Sequence, residues 1–260
     1  MTIYSSTNIP WQFNLLLYGK AGAGKTSLAA TAGDHEAMRQ VLFLNVEGGM
    51  LSLTHRDDIL IADTPTAAAV EEIFWKLAQA EEEPYSQIKT VVIDSGTELQ
   101  NVMLAQTAEE KARTDARRGP NDIYLEDYGV NTAALRRLGR MFRDLRVNVI
   151  MTALPKEIYP PNIEDTTGVD PIEVVPLFTS KLGTSLAGFA DFVWYVYVKD
   201  GRRMVLTTER RGYMAKTRGH AFAQQIGPTF RVAGTNTETG EVEEGHTLAT
   251  LYDLLLSCRQ

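Results

Sequence analysis

The 260-residue chain is 44% apolar and 23% charged, the proportions of an ordinary globular protein able to bury a sizeable core. Its net charge of −7 excludes a uniformly basic nucleic-acid binder but leaves a local basic surface open. Cys258 is the sole cysteine, which excludes an internal disulfide and fits a reducing cytoplasm. The longest apolar run, Phe189 to Val198, contains Asp191 and is too short to cross a bilayer, so no membrane partner is expected.

Residues 1–11 are polar and aperiodic, with Pro10-Trp11 leading into a buried strand over Phe13–Tyr18. Directly after it, Gly19-Lys20-Ala21-Gly22-Ala23-Gly24-Lys25-Thr26 satisfies G-x-x-x-x-G-K-[ST] in full, and a small-residue helix pattern follows to about Thr31. The glycines let successive backbone N–H groups turn onto phosphate oxygens, and the start of the helix favours the same negative charge. Lys25 can reach the β- and γ-phosphates, and the Thr26 hydroxyl can ligate Mg²⁺. The loop residues together with Ser27 form the nucleotide-binding set, with ATP and Mg²⁺ as ligands. Ser27 also removes the rival dinucleotide fingerprint, which needs Gly or Ala there.

Downstream, Val41–Val46 reads as a second buried strand and Ile59–Ala62 as a third. Thr66–Gln79 is an amphipathic helix with Val70, Ile73, Phe74 and Leu77 on one face. Thr90–Ile93 is a further buried strand ending at Asp94, followed by a helix from about Thr97 to Glu110. Lys111–Asp127 reads as a loop, Asn131–Leu145 as a helix with several arginines outward, and Val147–Thr152 as a strand. Five of the ten prolines fall between Pro155 and Pro176, which predicts a long mobile connection or flap. Phe192–Val198 and Met204–Thr208 flank Lys199-Asp200-Gly201, a hairpin signal, and a short strand is expected around Met214–Lys216. A Thr/Gly/Glu-rich loop, Gly234–Gly245, precedes a closing helix near Leu248–Leu256. Strands apolar throughout, alternating with helices, predict an α/β fold: a mainly parallel sheet with helices on both faces and an antiparallel edge hairpin. One domain is expected over 1–260, with its core at about 10–220.

Ligands of such sheets bind at the carboxyl ends of the strands. Asp94 ends VVID, where a carboxylate can hold Mg²⁺ through water; the alternative is a helix N-cap. Glu47 ends VLFLNVE and can polarise a water for attack on the γ-phosphorus; the alternative is a solvated loop residue. Thr152 can report the γ-phosphate as a sensor, or be an ordinary strand threonine. Lys216 and Arg218 lie two apart on one side of a strand, either as cations that neutralise a triphosphate or as a solvated edge.

The order of phosphate loop, strand-end Glu47, VVIDS, strand-end Thr152 and late Lys216-x-Arg218 resembles the RecA-like P-loop ATPase core. It is most similar to the short phage nucleotide-binding proteins related to phage single-strand annealing proteins. The resemblance spans about residues 10–220. It implies that Lys25, Glu47, Lys216 and Arg218 are catalytic, with Glu47 the base and the two late cations inserted into a neighbouring subunit's site. It also implies a homo-oligomeric ring or filament, single-stranded DNA as partner, a possible single-strand-binding protein as second partner, and a host cytoplasmic location.

In the family two loops after the central strands bind DNA; here they correspond to regions within Lys111–Asp127 and Lys156–Lys181. The first carries Lys111, Arg113, Arg117 and Arg118, with Tyr124 and Tyr128 as stacking faces, and is the candidate DNA contact. Pro155–Pro176 is net acidic, which argues against a backbone grip there. The reading is a Mg²⁺-dependent ATPase acting on single-stranded DNA in recombination or annealing. The alternatives are a small-molecule kinase and a nucleotide-gated interaction protein with little turnover.

Overall fold

Alternate residues of the central strands face two different cores, which is why these strands are apolar without interruption. The computed structural model describes residues 12–119, 121–162, 165–179 and 181–258. The expected lead-in at Pro10-Trp11 lies outside them.

Strand β1 (Asn14–Tyr18) leads through the phosphate loop into α1 (Lys25–Ala30). Next come β2 (Val41–Asn45), β3 (Ile59–Asp63), α2 (Ala67–Gln79), β4 (Thr90–Asp94), α3 (Gly96–Thr114), α4 (Leu125–Arg143) and β5 (Asn148–Ala153). They are followed by β6 (Pro155–Ile158), β7 (Glu173–Pro176), α5 (Leu182–Phe189), β8 (Phe192–Lys199), β9 (Arg202–Leu206) and β10 (Lys216–Thr217). The chain closes with α6 (His220–Ile226), β11 (Thr229–Arg231), β12 (Gly234–Thr235), β13 (Val242–Glu243) and α7 (Leu248–Ser257).

The main sheet runs in the order β11-β9-β8-β1-β5-β4-β2-β3, with β10 paired to β8. Strands β8, β1, β5, β4, β2 and β3 are parallel neighbours. The β8–β9, β9–β11 and β8–β10 ladders are antiparallel. This is the expected mainly parallel sheet with antiparallel strands at one edge. Strand β5 sits between β1 and β4, bringing the ends of the phosphate-loop strand, the Asp94 strand and the Thr152 strand side by side.

One face packs Leu16, Tyr18, Leu42, Leu44, Val91 and Ile93 against α2, α4 and α5 through Ile73, Phe142 and Leu186. The other packs Leu15, Leu17, Phe43, Val92, Ile150 and Trp194 against α1, α6 and α7 through Leu28, Phe222 and Leu251. Each fully buried aliphatic or aromatic chain contributes about 1.5–3 kcal/mol, so this two-sided burial fixes the strand ends beneath the loop.

Several elements depart from the sequence expectation. The expected loop over 111–127 is shorter, because α3 runs to Thr114 and α4 starts at Leu125, where the Tyr124 N–H donates to Asp127 Oδ2 at 2.8 Å. Pro155–Pro176 has a built stem: β6 and β7 pair from Pro155↔Pro176 to Ile158↔Glu173. Helices α5 and α6 were not expected at all.

Candidate nucleotide site

The phosphate loop is shaped by close approach to neighbouring backbone and side chains. A Cβ at Gly19 would collide with the Val196 carbonyl oxygen of β8. Gly24 has φ 95°, and a Cβ there would lie 2.6 Å from Arg203 Cδ. Only glycine meets both demands at Gly24. The loop is pinned at its start by Gly19 N–H to Ala153 O (3.2 Å) and across its curl by Ala23 N–H to Lys20 O (3.2 Å).

Lys25 Nζ donates to the carbonyls of Gly19 (2.8 Å) and Lys20 (3.0 Å), which keeps the ammonium at the loop's mouth. Burial pushes its pKa down, opposed by the charges of Asp94 and Glu47. Beneath the loop, the Asp94 carboxylate accepts from two hydroxyls: Thr26 Oγ1 on Oδ2 at 2.7 Å, and Thr152 Oγ1 on Oδ1. Asp94 is 5% exposed, so this pairing provides much of the compensation its charge needs. Helix α3 is capped by Ser95, whose Oγ accepts from the Glu98 N–H at 3.3 Å, leaving the Asp94 carboxylate to the threonines. The Asp94–Ser95 peptide is cis.

Glu47 stands exposed at the end of β2, tied by backbone only, its N–H donating to Asp94 O at 3.3 Å. Asn45 shapes that turn, accepting from the Gly48 N–H at 2.8 Å and donating to Asp63 at 2.7 Å. Lys25, Thr26, Asp94, Thr152 and Glu47 thus converge at one end of the sheet.

Lys216 and Arg218 do not join them. Strand β10 pairs Lys216 with Val193 and Thr217 with Phe192, while Arg218 N–H meets Asp191 O, whose own N–H meets Asn14 O. Arg218 therefore lies level with the first residue of β1, whereas the loop leaves after its last. Lys216 Nζ donates to Ala187 O (2.6 Å) and Arg218 pairs with Asp191 (2.8 Å), both turned toward the carboxyl end of α5.

The cations of the basic segment each have an acidic partner. Lys111 pairs with Asp127 (2.7 Å) and Glu126 (3.0 Å), Arg117 with Asp115 (2.9 Å), and Arg113 with Glu109 (4.0 Å). Arg118 is 8% exposed, held by Asp127 at 3.1 Å and stacked over the Tyr124 ring at 4.0 Å. All four cations have acidic partners: Lys111 and Arg118 reach Glu126 and Asp127 of α4, while Arg113 and Arg117 pair locally and stay exposed.

Arg203 is the residue sequence reasoning missed. It lies on β9 against Gly24, its Nε is buried without a hydrogen bond among the described residues, and Nη1 donates to Thr235 O at 3.1 Å. It borders an opening of about 320 Å³ shared with Ser27, Thr31, His55 and Thr235. No local pattern in β9 marks it; its role comes from the register of β8 and β9 beside the loop.

Residues 12–219 match the family described as AAA domain. The chain belongs to this family. Among solved structures, this AAA domain is similar to the RadB recombinase in its crystal structure, at 14% identity and a TM-score of 0.41, with 75% of this chain and 79% of that one covered. Comparison with curated proteins finds no match. No helix of the described residues is long and apolar enough to cross a membrane.

Proposed function

We propose that this AAA domain is a Mg²⁺-dependent ATPase that acts on single-stranded DNA in recombination or annealing, and that its subunits assemble side by side. The observation that supports it most is the Thr26–Asp94–Thr152 cluster beneath the phosphate loop, with Lys25 at its mouth and Glu47 at its rim. Thr26 and Asp94 offer adjacent hard oxygen donors 2.7 Å apart, the chemistry Mg²⁺ takes alongside phosphate oxygens. They would hold the ion, which supplies charge neutralisation on the triphosphate.

This chain's own residues do the rest. Backbone N–H groups of Gly22–Thr26 and the Lys25 ammonium bind the β- and γ-phosphates. Thr152 holds Asp94 in orientation. The Glu47 carboxylate accepts the proton of the attacking water. The nucleoside extends past Ser27 toward Arg203. Lys216 and Arg218 face away from their own loop and serve a neighbour's.

The test is steady-state ATP hydrolysis with and without single-stranded DNA. Lys25→Ala should lose nucleotide binding, and Glu47→Gln should bind normally but turn over about a hundredfold more slowly. Wild-type turnover in Glu47→Gln removes it from the mechanism. A rate indifferent to DNA, together with no DNA binding at low salt, removes the recombination reading.

A further inference from the structure

A cleft of about 750 Å³ opens beside the first half of the phosphate loop, on the face that carries α4 and α5. Its floor is aromatic. The rings of Tyr195 and Tyr197 stack at 5.7 Å with an interplanar angle of 11°, and Tyr213 leans on Tyr195 at 4.9 Å. Tyr195 is buried, while Tyr197 and Tyr213 are half-exposed and their hydroxyls bond to nothing among the described residues. Its rim is cationic: Lys20, Lys199, Arg210 and Arg211 line it, and no Asp or Glu does. Lys20 is paired with Glu157 at 2.9 Å, but Lys199, Arg210 and Arg211 have no acidic partner among the described residues. They contrast with the matched cations at 111–118.

The arginines sit on a built turn. Arg210 and Tyr213 exchange both backbone hydrogen bonds (3.4 and 3.0 Å), and strand β7 grips the turn through Val174 N–H to Gly212 O (2.9 Å) and Met214 N–H to Val174 O (2.9 Å). Arg211 is held at φ 50°, a left-handed conformation uncommon for a non-glycine residue, which this strand pairing sustains.

Unmatched cations around open aromatic faces suit a ligand that carries both phosphate and planar bases. We propose that this cleft is a binding site for single-stranded DNA. A base stacks on the open face of Tyr197, and the backbone phosphates lie against Arg210, Arg211 and Lys199. The assignment rests on the DNA-coupled reading above but places the contact on β8, β9 and the Arg210–Arg211 turn, not on 111–118. A second cationic surface, Arg136, Arg140 and Lys181, presents no open ring: Phe189 already lies under Arg140 and Arg143, each at 5.3 Å. The cleft also borders Lys20–Ala23, so a bound strand would touch the first half of the phosphate loop.

The test is fluorescence anisotropy of a fluorescein-labelled oligothymidylate with the full chain, at low and raised salt. Tyr197→Ala should weaken binding about tenfold, the scale of one lost stack, and Tyr197→Trp should retain it. Arg210→Glu/Arg211→Glu should weaken binding further and flatten its salt dependence by roughly one to two in slope. Both arginines are exposed, so these changes leave the fold intact, and circular dichroism and thermal melting verify it. Arg117→Glu should bind as wild type.

Wild-type affinity in the Tyr197→Ala and double-arginine variants overturns the site while the DNA reading stands. Loss of binding in Arg117→Glu alone does the same. Displacement of the oligonucleotide by excess AMP would show a mononucleotide pocket and overturn it too. Absence of binding by the wild type sinks the DNA reading and the site with it.

Discussion

At the scale of single residues, the nucleotide site is a set of strand ends whose side chains satisfy one another. Asp94 receives two hydroxyls, and Lys25 rests on two carbonyls of its own loop. Arg203 is the exception: a guanidinium pressed on Gly24 with Nε buried and unbonded. A buried donor without a partner is costly, and at a ligand site the ligand is the natural acceptor. Arg203→Ala should therefore weaken nucleotide binding about tenfold or more, the scale of one charge-assisted hydrogen bond. Titration with a fluorescent ATP analogue measures it, and an unchanged dissociation constant would make Arg203 a packing residue.

At the scale of elements, the junction of α3 and α4 is held by a buried carboxylate. Asp127 is completely buried. The Lys111 ammonium, the Tyr124 N–H and the Arg118 guanidinium hold its carboxyl well below the usual carboxylate range. A depressed pKa in the folded state means stability that is full above about pH 4, the unfolded value, and is lost as the pH falls further. Asp127→Asn should lower the urea midpoint at neutral pH, with the gap from wild type narrowing in acid. Parallel pH profiles for the two proteins would remove Asp127 as the origin. Reversing Arg118 would break this junction before it reported on DNA.

The same junction shows where sequence reading stops. Strands β1, β2, β4 and β5 are legible because burial on both faces leaves apolar runs bounded by turns. The phosphate loop, Glu47 and Asp94 are legible because they directly follow such runs. How Lys111 and Arg118 are paired is not legible from the charge of 111–118, because their partners, Glu126 and Asp127, belong to the next helix. The β6–β7 ladder is hidden by Pro155 and Pro176 at its root, where pairing overrides a local preference for loop. Helix α5, with two glycines and no charge in eight residues, has little helical pattern to recognise. The tyrosine cleft depends on Tyr195, Tyr197 and Tyr213 meeting across two elements, which no spacing announces.

At the scale of the whole molecule, the loop and the Lys216–Arg218 pair occupy different ends of the same strands. If the pair completes a neighbour's site, activity per subunit should rise with protein concentration. Mixing Lys25→Ala with Lys216→Ala/Arg218→Ala should restore part of the rate, because an intact loop can then meet intact cations; cations of this kind are worth roughly a thousandfold or more. Confirmed subunit exchange with no recovery would place them outside the reaction. The separation also sets a counting rule for stoichiometry. In an open head-to-tail row one terminal loop always lacks its complement, so the fraction of competent sites grows with row length and cutting the row costs one site per break. In a closed ring, or in a pair related by a two-fold axis, every loop is matched, and the rate per subunit stops rising once closure is complete. The shape of that concentration curve would report the form of the assembly before any image of it.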